Sequence, residues 1–219
     1  MNPSLLTRGP YDGDPYAQII SALREHGYIR LNNVFTLEQL QRLFLFIKQS
    51  GQADFHQAGV GRDQIHQVNN FIRRDHICWL DEQHDEADFY LEWMEELRLR
   101  LNRELFLGLF DYECHYAHYP KGAFYKKHLD AFQGSSNRRL TTILYLNPGW
   151  QTGDGGELLL YAADNQTLLE TVQPTFGSMV IFLSEEFPHE VLPVNTSRYS
   201  LTGWFRINTS TGIHLDPPA

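Results

Sequence analysis

Cysteine is scarce in this chain. Cys78 and Cys114 are the two present in 219 residues, so there is no disulfide framework and no cluster of zinc ligands. Long apolar runs are missing as well: no segment approaches the length of a membrane-spanning helix. The opening Met1-Asn-Pro-Ser-Leu-Leu-Thr-Arg8 lacks the apolar stretch of a signal peptide. Without secretion, the glycosylation-type triplets at Asn165, Asn195 and Asn208 carry no meaning. The third shortage is positive charge. Lys and Arg number 18 against 27 Asp and Glu, giving a net charge of −9 and a pI near 5.5. Such a chain offers no basic surface to a phosphate backbone, which argues against nucleic acid as a main partner. No internal repeat or low-complexity tract is present. These absences predict a soluble, acidic protein of a reducing, cytoplasmic compartment, with no membrane partner. At 42% hydrophobic content the chain can bury a full core.

The first half reads as helices. Tyr16, Ile19, Ile20 and Leu23 share a face, with Gly27 as the stop. Tyr28 to Val34 reads as a short strand. Thr36 and Gln39 form a capping-box pattern ahead of Leu37, Leu40, Leu43, Phe44 and Ile47 at helical spacing. Phe89, Trp93, Leu97, Leu101 and Leu105 mark a third helix. Such stripes are core-facing packing rather than binding boxes. Between the second and third helices lies a polar stretch, Gln52 to Arg74, whose length suggests a mobile segment covering substrate. Asp75 to Leu80 then closes it as a strand.

From Asp111 onward short strands alternate with turns. Cys114–Tyr119, Leu140–Leu146, Glu157–Ala162, Thr167–Val172, Ser178–Leu183, His189–Val194 and Tyr199–Ile207 are the candidates, and Asn147-Pro-Gly149 and Gly153-Asp-Gly-Gly156 supply turns. Strands at this spacing predict a sandwich or double-sheet barrel with helices packed outside, a mainly β fold with flanking helices. The tail 208–219 is polar and expected to fray.

The chemistry gathers in this second half. In a strand, residues two apart point to one side, so His128 and Asp130 can aim an imidazole and a carboxylate at one point. His189, after Pro188, would complete a two-histidine, one-carboxylate set, the ligand type that holds non-haem Fe(II) with positions left open. His-x-Asp alone is a weak motif, and surface or turn histidines are the ordinary alternative. Arg198 opens the strand Arg198-Tyr-Ser-Leu-Thr-Gly-Trp204, which presents Arg198, Ser200, Thr202 and Trp204 on one side. A buried guanidinium needs a partner. Two readings compete on the strand alone: a structural bridge to an aspartate, or a grip on the carboxylate of a dicarboxylate cosubstrate.

Tyr119-Pro-Lys-Gly-Ala-Phe-Tyr125-Lys-Lys-His128-Leu-Asp130, Ile143-Leu-Tyr-Leu-Asn-Pro148, Gly155-Gly-Glu-Leu158, Pro188-His-Glu-Val191 and Arg198–Trp204 follow one another. This ordered series resembles the 2-oxoglutarate-dependent Fe(II) prolyl hydroxylases, especially the hypoxia-sensing enzymes and their bacterial relatives. The likeness is strong from Cys114 to Ile207 and weaker in Arg74-Asp-His-Ile-Cys-Trp79-Leu and the early helices. It implies a double-stranded β-helix core (jelly-roll or cupin-like) at 111–207, supported by 1–110, within one oxygenase domain spanning 1–219. It implies His128, Asp130 and His189 as metal ligands. Arg198 would pair with 2-oxoglutarate, with Tyr145, Thr202 and Tyr119 beside it, and Tyr125, Arg138 and Trp204 would lie near a prolyl substrate. The implied reaction uses Fe(II), O₂ and 2-oxoglutarate, with a reductant such as ascorbate, to hydroxylate a proline-containing protein and release succinate and CO₂. The 52–74 segment looks longer than in the family, and the Tyr119–Tyr125 segment shorter than in the animal enzymes.

Three alternatives compete. Repair of alkylated nucleic acid would require a second arginine six residues after Arg198, where Trp204 stands. A small-molecule hydroxylase of the same fold shares the triad. A non-catalytic metal-binding interaction module would have no need of Arg198, Tyr145 and Thr202.

Overall fold

The computed structural model of the chain describes residues 13–49, 55–58, 72–80, 85–131 and 137–208. Helix α1 spans Pro15–His26. It starts because the Asp14 carboxylate accepts the N–H groups of Tyr16 (2.9 Å) and Ala17 (3.4 Å). It ends at Gly27, whose left-handed backbone returns an N–H to the Leu23 carbonyl. Helix α2, Leu37–Gln49, carries the capping box expected from sequence. The Thr36 N–H donates to Gln39 Oε1 at 2.9 Å, and the Gln39 N–H donates to Thr36 Oγ1 at 3.2 Å. Helix α3 runs from Asp88 to Leu105 after a single 3-10 turn at Asp85–Ala87.

Eleven antiparallel strands are present among the described residues: β1 Tyr28–Asn32, β2 His56–Gln57, β3 His76–Trp79, β4 Leu109–Tyr119, β5 Tyr125–His128, β6 Arg138–Tyr145, β7 Leu158–Tyr161, β8 Leu168–Val172, β9 Ser178–Leu183, β10 His189–Val191 and β11 Arg198–Ile207. Seven form a large sheet in the order β1-β9-β6-β11-β4-β3-β2, and four form a small sheet in the order β5-β10-β7-β8. The two sheets are the walls of a double-stranded β-helix. One core lies between the helices and the outer face of the large sheet, where Ile19, Leu43, Met94, Leu97 and Leu101 meet Tyr116, Leu144, Leu201 and Phe205. A second core fills the space between the sheets and includes Ile143, Tyr145, Leu158, Leu160, Val180 and Phe182. Each such side chain contributes roughly 1.5–3 kcal/mol by burial. The helices are therefore held by this face more than by their own propensity.

Strand ends differ from the sequence expectation for local reasons. β1 stops at Asn32 because Asn33 turns left-handed at φ 59°. β10 stops at Val191, short of the expected Val194, because Pro193 has no N–H to extend a ladder. Strand β2 was not anticipated, β5 was expected only through the alternation drawn from His128 to Asp130, and β1, β2 and β3 carry part of the first half into the large sheet. The expected covering segment 52–74 falls mostly outside the described residues. Its described ends are 55–58, held where the Ala58 N–H meets the Asp75 carbonyl at 3.0 Å, and 72–74. The tail beyond Asn208 also lies outside them. No helix among the described residues is long and apolar enough to cross a membrane.

Candidate active site

His128 and His189 are direct register partners where β5 meets β10 in the small sheet, with ring centroids 4.3 Å apart. Each imidazole is oriented from behind. His128 Nδ1 lies 2.7 Å from the Lys126 carbonyl, and His189 Nδ1 lies 3.0 Å from the Phe187 carbonyl. A carbonyl only accepts, so both Nδ1 atoms carry the proton and both Nε2 lone pairs face the centre. Asp130 completes the cluster: its Oδ1 is 3.4 Å from His128 Nε2, and its Oδ2 is 3.6 Å from His189 Nε2. The three donor atoms lie within 4.8 Å of one another.

Strand alternation is not what brings Asp130 in. β5 ends at His128, and Asp130 sits in the bend that follows, so a turn supplies the convergence. Burial alone would raise the Asp130 carboxyl, but the two imidazoles outweigh it and hold it well below the usual carboxylate range. Burial also pulls His189 down to about 4 against the opposing pull of Asp130. At neutral pH the cluster is thus one carboxylate with His189 neutral, the protonation a divalent metal requires. Two nitrogens and one carboxylate oxygen suit ferrous iron.

Arg198 is 1% exposed at the start of β11. The alternative of a structural bridge to an aspartate is not realised: its Nε has no hydrogen-bond partner among the described residues. Its guanidinium instead lies between two rings, 4.8 Å from the centroid of Tyr119 and 5.0 Å from that of Tyr145. The buried Tyr145 hydroxyl is also unpartnered. A buried guanidinium whose Nε lacks an acceptor, beside a tyrosine hydroxyl with no other partner, leaves hydrogen-bonding capacity that a ligand can satisfy. A carboxylate fits both. Thr202 lies farther along the same face of β11, its Oγ1 3.5 Å from Ser200 Oγ, and Ser200 rather than Thr202 stands opposite Tyr145.

The Gly155-Gly156 turn makes room for this pocket. Gly156 adopts φ +66°, and a Cβ there would meet Arg198 Cδ at 2.9 Å. Tyr125, Arg138 and Trp204, the residues expected to face substrate, are each held by ring or charge contacts. Tyr125 stacks on the His128 ring at 3.6 Å. Arg138 donates from Nε to Glu113 Oε1 at 2.8 Å and lies 3.5 Å over the Trp204 ring.

Several neighbours went unnoticed in the sequence. His115 is buried against Trp79 (5.0 Å) and Trp204 (5.3 Å), with its Nδ1 unpartnered. Arg73 lies 4.4 Å over the Tyr125 ring and pairs with the fully buried Asp75. Thr141 donates to Asp130 Oδ2 at 2.7 Å. The His115 and Thr141 contacts join segments apart along the chain, which no sequence spacing marks, whereas the Arg73–Asp75 pair is only two residues apart.

The family model described as the 2OG-Fe(II) oxygenase superfamily matches residues 114–206. In the crystal structure of a prolyl-4-hydroxylase from Pseudomonas putida, 39% of aligned residues are identical at a TM-score of 0.79, covering 88% of this chain and 98% of that one. This chain belongs to the 2OG-Fe(II) oxygenase superfamily. A prolyl hydroxylase from Trichoplax adhaerens, solved with a peptide fragment of the hypoxia inducible factor oxygen degradation domain, is 29% identical at a TM-score of 0.75. It covers 87% of this chain and 88% of its own. Prolyl hydroxylase EGLN3 of Homo sapiens is 27% identical over 202 residues, 85% of this chain and 81% of that protein. Membership brings Fe(II), 2-oxoglutarate and O₂ as the reagents of the fold, and the cluster and the Arg198 pocket have the chemistry to take them.

Proposed function

We propose that this protein is a 2-oxoglutarate- and Fe(II)-dependent dioxygenase that hydroxylates a prolyl residue in a protein substrate. The observation carrying this reading is the His128–Asp130–His189 cluster, with Tyr125 stacked on His128, together with a buried Arg198 that no carboxylate bridges among the described residues. The likeness to prolyl hydroxylases, one of them solved with a peptide, supports the choice of substrate. His128, Asp130 and His189 hold the metal. Arg198 grips the distal carboxylate of 2-oxoglutarate through parallel N–H bonds, with Tyr145 and Thr202 as hydroxyl donors and Tyr119 as the wall. Tyr125, Arg138 and Trp204 bound the prolyl site.

Bound together, Fe(II) and 2-oxoglutarate supply oxidative decarboxylation, in which one oxygen atom of O₂ enters succinate and the other the substrate ring, with release of CO₂. The protein's part is positional. The carbonyls of Lys126 and Phe187 keep both imidazole lone pairs aimed inward. Burial of Arg198 between two rings excludes water from the cosubstrate. Trp204 is fixed under Arg138, whose guanidinium lies 3.5 Å over its ring, and this pair would border the prolyl ring. The chain from 1 to 219 acts as a single oxygenase domain. Its location is cytoplasmic, its partners are neither nucleic acid nor membranes, and ascorbate sustains turnover by keeping iron ferrous.

Anaerobic titration with Fe(II) and 2-oxoglutarate tests the centre through its visible charge-transfer band. Succinate release with proline peptides, and a mass gain of one oxygen on proline, tests the reaction. A band accompanied by oxidation of free amino acids alone would overturn the protein substrate.

A further inference from the structure

Thr141 lies on β6, directly opposite Trp204 of β11 on one side and Phe182 of β9 on the other. Both Thr141 and Ser184 are fully buried. Thr141 Oγ1 is 2.7 Å from Asp130 Oδ2 and 2.9 Å from Ser184 Oγ. Ser184 directly follows β9, and its own N–H donates to the Arg139 carbonyl at 3.0 Å, so its backbone is fixed by one further ladder bond. Neither hydroxyl belongs to the metal set or to the Arg198 pocket.

The direction of this chain follows from its end. An ionised carboxylate has no proton to give, so the Thr141 hydroxyl must donate to Asp130. A hydroxyl has only one proton. The contact with Ser184 must therefore run the other way, with Ser184 donating and Thr141 accepting. The order is Ser184 to Thr141 to Asp130, each bond polarising the next.

We infer that Thr141, backed by Ser184, is a positioning residue for the metal centre: it claims Oδ2 of Asp130 and leaves Oδ1 for the metal. This rests on the reading of His128, Asp130 and His189 as ligands. Asp130 needs such a tether more than the histidines do. It sits in a bend beyond the end of β5, whereas both imidazoles are held in a ladder and by a carbonyl. Without the tether the carboxylate could swing away from the point it shares with the two imidazoles, and its hold on a metal would loosen. Partners behind ligands of this type typically set metal affinity by about 10- to 100-fold.

The test uses Mn(II), which is inert to O₂ chemistry, titrated calorimetrically into the whole metal-free protein. Thr141→Val should raise the Mn(II) Kd by roughly 10- to 100-fold. Thr141→Ser should restore most of the affinity because it keeps the donor. Ser184→Ala should cost less than Thr141→Val, because Thr141 can still donate to Asp130. The visible spectrum of the Co(II) form should change with Thr141→Val and return with Thr141→Ser.

Wild-type Mn(II) affinity in a folded Thr141→Val variant would overturn the proposal. So would a Ser184→Ala variant weaker than Thr141→Val, which would reverse the order of the chain. If Thr141→Val does not fold, the Ser184→Ala and Thr141→Ser pair decides: the first must weaken Mn(II) and the second must hold it. Failure of the wild-type protein to bind Mn(II) would instead remove the ligand assignment itself.

Discussion

Arg198 stands directly opposite Tyr119 in the β4–β11 ladder, and its guanidinium lies 4.8 Å from the centre of that ring. The contact matters because it replaces a counter-ion: the aromatic faces of Tyr119 and Tyr145 stabilise a buried cation that no carboxylate meets among the described residues. Such a guanidinium keeps hydrogen-bonding capacity for an anionic ligand, the role proposed for it.

Arg198→Ala should therefore weaken 2-oxoglutarate by about 100-fold while leaving Mn(II) affinity near wild type, since hydrogen bonds to charged groups contribute roughly 1.5–3 kcal/mol each. Arg198→Lys keeps the charge but loses the planar fork, and a loss of about tenfold is expected. Equal 2-oxoglutarate affinity in both variants and the wild type would remove the assigned role.

The buried histidines give the metal-free protein a defined acid sensitivity. Burial, with the nearby Arg73 and Arg138 charges, holds His115 well below 6.5, and burial brings His189 to about 4. The unfolded chain takes up these protons near pH 6.5, before the folded chain does. Stability is then fully present above pH 6.5 and falls as pH drops towards 4. Two protons correspond to a slope of about 2.7 kcal/mol per pH unit. Half-buried His118, lowered by burial and by His76 and Lys48, acts in the same direction. Urea unfolding in the presence of a chelator between pH 7.5 and 5 would show it; a flat profile would refute it.

Asp75→Asn tests the support under the substrate side. Asp75 has no exposed side-chain surface and pairs through both oxygens with Arg73, which in turn covers the Tyr125 ring. Removing one partner of a buried pair typically costs about 3–5 kcal/mol, because the remaining charge is left uncompensated. Tyr125 is itself stacked on His128 at 3.6 Å, so peptide KM should rise together with the loss of stability. A variant with the wild-type urea midpoint would contradict the pair's importance.

What the sequence made legible was local or ordered along the chain. The Thr36–Gln39 capping box and the Gly27 stop follow from residue chemistry within a few positions, and both form as expected. His128, Asp130 and His189, the proposed metal ligands, were legible as residues, but strand alternation does not explain their convergence. Asp130 comes in through a bend, and His128 faces His189 because β5, a strand only four residues long, pairs with β10. A strand this short leaves too few alternations to declare itself. The Asp75–Arg73 pair is local, two residues apart, and carries no motif that singles it out; the Ser184–Thr141 chain depends on which strands become neighbours. Topology decides that, and no period in the sequence encodes it.

Gly156→Ala would separate the carboxylate pocket from the metal site. At φ +66° an alanine is strained, at a cost of about 1–2 kcal/mol. Its Cβ would also stand 2.5 Å from Val194 Cγ1 and 2.9 Å from Arg198 Cδ. Overpacking of this kind adds roughly 1–3 kcal/mol and is relieved only by moving a neighbour. Val194 is fixed on both sides of its peptide unit, its N–H on the Ala123 carbonyl and its carbonyl accepting from the Gly122 N–H. Arg198 is the side chain more able to yield, and its displacement would carry the guanidinium off the two tyrosine rings. The expected outcome is a weakened 2-oxoglutarate Kd with an unchanged Mn(II) Kd, alongside a lower melting temperature. If 2-oxoglutarate affinity survives while stability falls, the strain has been taken up by Val194 instead, and the glycine serves the turn rather than the pocket.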